Sequence, residues 1–208
     1  MIAGQSAAAW GREQGRLRWW QHLVAAVGVE TPEMGRKRRH RERCAAGSVG
    51  EKRTHAMLQP LLREGWHVLP DRRVGRSANV DHVLVGRDGQ VFTLDSKLWA
   101  ARDEEGQPRV VRLVGGRLMH GGADRDRQVD TALWETREVS KALGGVPVTP
   151  LIVVHNAPVD GAGFRVRGVA LFPADRLLEL LRANVGPADP AGAELLARLA
   201  AIRLPSYT

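Results

Sequence analysis

The chain has 208 residues, 43% hydrophobic and 26% charged, with a formal net charge of +8. That length holds one ordinary domain with an extension, not two large cores, and the balance is that of a soluble globular protein. A single cysteine, Cys44, excludes an internal disulfide and any cysteine-based zinc cluster.

Taken in chain order, Met1 to Ser6 lack the charged start and apolar stretch of a secretory signal. No run approaches the roughly 20 apolar residues of a membrane span. A cytoplasmic protein is expected. Residues 10–28 read as a short helix with Trp19, Trp20, Leu23, Val24 and Val27 at helical spacing. Its apolar stripe can dock on the main domain, on a protein partner, on a second copy or on a lipid surface, and protein is the expectation. Thr31-Pro32 and Gly35 break the pattern. Residues 1–46 hold nine Lys/Arg against four Asp/Glu, whereas the other 162 hold 22 against 19. The basic surplus therefore belongs to this arm, above all to Arg36, Lys37, Arg38, Arg39, Arg41 and Arg43. Such a run is either a solvated linker or a set of phosphate contacts, with DNA the first polyanion to consider.

A helix is predicted from Ser48 to about Glu64, with Pro60 kinking it or ending its regular part. Three strands follow, Trp66–Leu69, Val80–Val85 and Gln90–Leu98, the first ending at Pro70-Asp71. Arg109 to Met119 reads as a small hairpin turning at Gly115-Gly116. Residues 124–143 form a helix whose apolar side carries Val129, Ala132, Leu133, Thr136, Val139 and Leu143. Val148–Val154 is a strand buried on both faces. Val169–Phe172 adds one more strand, before helices near 174–183 and 190–202. Without its ends and insertions the order is helix, three strands, helix, strand, which predicts one α/β domain around a mixed sheet. The expected division is a helical, basic arm at 1–46, a domain at 47–172, and a C-terminal helical extension at 173–208 packed upon it.

Chemistry concentrates at Asp95-Ser96-Lys97. Residues two apart on a strand share a face, so Asp95 and Lys97 project together. Only four lysines stand against 27 arginines, and Lys97 alone has an acid two residues before it. By itself the triplet could be a surface ion pair worth about 0–1 kcal/mol. The register strengthens it. A three-residue loop, Arg87-Asp88-Gly89, with Gly89 left-handed, pairs Val85 with Val91, Val83 with Thr93, and Asp81 with Asp95. Opposed carboxylates on an apolar ladder repel unless something sits between them, and a hard divalent cation, Mg²⁺ or Mn²⁺, is the natural occupant.

Glu51 on a first helix, Asp81, Asp95-x-Lys97 and a helix bearing Gln128 together resemble the PD-(D/E)xK nuclease superfamily. More narrowly, Gly50-Glu51, Asn79-Val80-Asp81-His82-Val83-Leu84-Val85-Gly86 and Asp95-Ser96-Lys97-Leu98-Trp99 resemble the nuclease-related domain, over about half the chain. The resemblance implies a restriction-endonuclease-like core acting as a metal-dependent phosphodiesterase on DNA. Asp81 and Asp95 would ligate Mg²⁺ or Mn²⁺, with the Ser96 carbonyl and Glu51 in support. Lys97 would orient or activate the attacking water, and Gln128 would contact the lysine or DNA. Glu51 also completes a capping box with Ser48, which is its bland explanation. Asp71, after Pro70, fits the superfamily's name more literally, but the hairpin register favours Asp81. A domain of the same fold that grips nucleic acid without cutting is the alternative.

Overall fold

The computed structural model describes residues 48–76 and 78–207. The Trp19–Trp20 helix and the basic run Arg36–Arg43 lie outside the described residues. Helix α1 spans 48–62, followed by strands β1 (His67–Val74), β2 (Ala78–Val85) and β3 (Val91–Leu98). A small three-stranded sheet comes next, formed by β4 (Val111–Val114), β5 (Arg117–His120) and β6 (Ala123–Asp124). Helix α2 (Asp126–Ala142), β7 (Val148–His155), β8 (Phe164–Val166), β9 (Val169–Pro173), α3 (Leu177–Ala183) and α4 (Pro190–Arg203) complete the fold.

The main sheet runs β1-β2-β3-β7-β9-β8. Pairs β1–β2, β2–β3 and β8–β9 are antiparallel, whereas β3–β7 and β7–β9 are parallel. This is the α/β domain with a mixed sheet that the element order requires. The central strand β3 shows how alternation builds two cores. Phe92 and Leu94 join Leu58 and Leu61 of α1 and Leu177 and Leu181 of α3 on one face. Val91, with Val83 and Val85 of β2, joins Val139 of α2 and Ala193, Ala197 and Ala200 of α4 on the other. Residues after 173 thus complete the core. Among the described residues no helix is long and apolar enough to cross a membrane.

Three local expectations change. Helix α1 runs through Pro60 to residue 62, because only its last residues follow the missing N–H. Strand β1 continues past Pro70-Asp71 to Val74. As an edge strand it tolerates a proline, and Asp71 passes through in a left-handed conformation, φ +48°. Beyond it lies the C-terminal segment, where Arg73 N donates to Pro205 O at 2.9 Å and Tyr207 N to Asp71 O at 3.0 Å. The short β8 carried no sequence signal that separated it from loop.

The β2–β3 turn has the deduced form. Gly86 N donates to Gln90 O, Gly89 N to Gly86 O, and Gly89 has φ +82°. The register is Val85↔Val91, Leu84↔Phe92, Val83↔Thr93 and His82↔Leu94. Gly89→Ala is expected to lose about 1–2 kcal/mol in urea unfolding, the usual cost of a Cβ in the left-handed region. Unchanged stability would show that this turn closes without a left-handed residue.

Candidate functional site

Continuing that register brings Asp81 opposite Asp95, and here regular pairing stops. The next inward donor of β3, Ser96 N–H, donates instead to Asp81 Oδ2 at 2.7 Å. A carboxylate thus replaces a main-chain acceptor, and the two strands part at the end where β3 presents Asp95 and Lys97. A residue's N–H and C=O point to the same side of a strand, so the Ser96 carbonyl faces the same opening.

Lys97 Nζ donates to Asp95 Oδ1 at 2.6 Å, with the side chains 21% and 10% exposed. The other oxygen, Asp95 Oδ2, is buried without a hydrogen-bond partner among the described residues. Helix α2 crosses β3 where Thr136 Oγ1 and Thr93 Oγ1 meet at 2.6 Å. The neighbouring Glu135 is buried, 9% exposed. From the other side α1 closes on β3 at Gly50, where even a Cβ would meet Leu98 Cβ at an ordinary contact distance of 3.4 Å. Glu51, half-buried, follows directly.

The electrostatics follow from one ammonium among several carboxylates. Burial first, and then Asp95, push the Asp81 carboxyl up to about 8, against the pull of Lys97 and the Ser96 N–H. Burial, then Asp95 and Asp81, push Glu135 up to about 8 as well. Glu51 is raised by burial and by the charges of Asp71 and Asp95. Burial opposes the charge on Lys97, but Asp95, Asp81 and Glu135 outweigh it and hold its pKa above the ordinary lysine value. This lysine stays protonated.

Asp81, Asp95, Ser96, Lys97 and Glu51 therefore converge, and Glu135 is the member that the sequence reading missed. Gln128 is half-buried on α2 and seven residues earlier, about 10 Å along the helix axis from Glu135. Asp71 lies opposite Asp81 across β1–β2 but is engaged by Asn79 Nδ2 at 2.7 Å. His82 faces away from the opening and stacks on His55 at 5.7 Å.

Among the described residues no three His, Cys, Asp or Glu side chains form a ready metal cage. Mg²⁺ does not need one, since it usually keeps several waters and binds through one or two carboxylates. An orphaned buried carboxylate oxygen beside a surplus of negative charge fits a hard cation.

The nuclease-related domain family matches residues 46–155. Comparison with curated proteins returns no match. Among solved structures, SfsA of Pyrococcus furiosus in complex with Ca²⁺ is similar at 19% identity, over 76% of this chain and 53% of that one. Its TM-score of 0.27 is too low to bear on the fold, which rests on the sheet order above.

The raised carboxyls carry a sign that can be measured. Folded Asp81 and Glu135 keep protons that the unfolded chain releases near pH 4, so each costs stability as pH rises toward 8. Buried His82, lowered to about 4 by burial and His55, acts oppositely below pH 6.5. In EDTA, stability should fall between about pH 6.5 and 8.5, by up to ~1.4 kcal/mol per pH unit for each group. Glu135→Gln should flatten that slope, and a level wild-type profile would contradict the burial of these charges. The match over more than half the chain completes the assignment: the chain belongs to the nuclease-related domain family.

Proposed function

We propose that this domain is a metal-dependent nuclease that hydrolyses phosphodiester bonds of DNA. The observation that carries the reading is Asp95 Oδ2, buried and unpartnered at the point where the β2–β3 ladder opens beside Lys97. Asp81 and Asp95 would hold Mg²⁺ or Mn²⁺, with the Ser96 carbonyl, Glu51 and Glu135 as further oxygen donors directly or through water. The bound ion supplies Lewis-acid stabilisation of charge on the phosphate. Lys97, held protonated by its neighbours, donates to the phosphate oxygen that gains charge, and its ammonium orients the attacking water. A protonated Lys97 is an electrostatic stabiliser, not the base that a lone lysine in this position could also be. Glu51, raised by burial first and then by Asp71 and Asp95, is the side chain to accept a proton from the attacking water.

Substrate grip is a separate question. Outside the arm the chain is nearly neutral, so Arg36, Lys37, Arg38, Arg39, Arg41 and Arg43 would supply most phosphate contacts. Deleting residues 1–46 should weaken DNA binding and flatten its dependence on salt. An unchanged salt slope would reduce that run to a solvated linker.

Cleavage is tested on linear, circular and single-stranded DNA with Mg²⁺ or Mn²⁺. Lys97→Ala is expected to lose about 10²–10³ in turnover with little change in binding, as for other lost transition-state stabilisers. Lys97→Arg should not rescue it, because the guanidinium is larger and its planar fork cannot replace a point charge. Full activity in Lys97→Ala would remove the residue from the mechanism. Metal-dependent binding without cleavage in wild-type protein would favour a nucleic-acid-binding module of the same fold.

A further inference from the structure

Ser96 turns its side chain to the face opposite Asp95 and Lys97, into the layer between the sheet and α1. There its hydroxyl donates to Thr54 Oγ1 at 2.9 Å, and Thr54 Oγ1 shares a 2.7 Å hydrogen bond with His155 Nε2. The three residues are 4%, 0% and 5% exposed. They come from β3, α1 and the end of β7, and apolar Leu58, Leu84, Leu94 and Val153 fill the same layer. Polar groups buried in such a layer cost stability unless every partner is in place. A valine at position 54 would fill the same volume without that demand.

The chain does not stop at Ser96. Its main-chain N–H donates to Asp81 Oδ2 on the far side. A continuous line therefore runs His155–Thr54–Ser96–Asp81, from the α1 layer through β3 to the opening. Sliding α1 by one residue would bring Arg53 or His55 to the place of Thr54 and break it.

We propose that Thr54 and His155 are positioning residues: through Ser96 they fix the stretch of β3 that sets the Asp81 carboxylate and presents Asp95 and Lys97. The proposal rests on the reading of Asp81 and Asp95 as a cation site. It assigns Thr54 and His155 no contact with metal or substrate. Their effect passes through Ser96.

The test is Mn²⁺ affinity by calorimetry, beside thermal unfolding, in the full chain well below its melting temperature. Thr54→Val and His155→Phe should each weaken Mn²⁺ binding about 10–100-fold, the usual range for outer partners of ligands. Thr54→Ser, which keeps the hydroxyl, should restore affinity to within a few-fold of wild type. Leu181→Ala, in the α3 part of the same core, should lower the melting temperature and leave Mn²⁺ affinity alone. If Thr54→Val does not fold, Ser96→Ala carries the same expectation, since it cuts the line and spares the main chain. Wild-type affinity in Thr54→Val, or an equal loss in Leu181→Ala, overturns the positioning role alone. Wild-type protein that binds no Mn²⁺ overturns the cation site, and this proposal with it.

Discussion

Negative charge in excess of its counter-charge, held where water is scarce, is the constraint around which this domain is built. Asp81, Asp95 and Glu135, with Glu51 at the rim, surround the single ammonium of Lys97. Lys97 fully satisfies only one oxygen of one of them. Each unmatched charge in a low-dielectric setting costs several kcal/mol unless it is protonated or paired. The protein answers with protons on Asp81 and Glu135.

The surrounding fold holds this cluster of carboxyls in place. Helix α1 meets β3 at Gly50, and the Thr93–Thr136 pair pins α2 across it. The parallel ladder from Val91↔Val148 to Leu98↔His155 holds β3 along its whole length on one side. Only on the β2 side does β3 lose its partner, after Leu94. That break is local and supported all round, so the opening keeps its shape instead of fraying. Edge strand β1 is steadied in turn by the segment near Tyr207, which accounts for its passage through a proline and a left-handed aspartate.

Much of this was legible before any coordinates. Gly89 at the last loop position favours an odd loop length, and with three residues in the loop counting alone makes Asp81 face Asp95. Asp95 and Lys97 followed from a period of two. What stayed hidden depended on contacts distant in sequence. Pro70-Asp71 has the local chemistry of a strand end, and pairing of Arg72 to Val74 with β2, backed by the segment 205–207, makes it strand interior. Glu135 was hidden for another reason. It lies three residues after Ala132 and four before Val139, within the helical spacing of the buried stripe. A carboxylate on that stripe was the available signal.

The two faces of β3 divide the work between charge and order. Toward α2 the strand turns Asp95 and Lys97, whose energies depend steeply on charge state. Toward α1 it turns Ser96, tied to neutral Thr54 and to His155, whose pKa is held down by burial and by Arg53. Neutral hydrogen bonds change little over the pH range in which the carboxylates titrate. They can therefore hold geometry while the other face changes charge. Lysine suits the charged face for the same reason: its compact ammonium satisfies one oxygen of Asp95 and leaves the other unclaimed. A guanidinium tends to bind both carboxylate oxygens at once, which would leave Asp95 with no unclaimed oxygen.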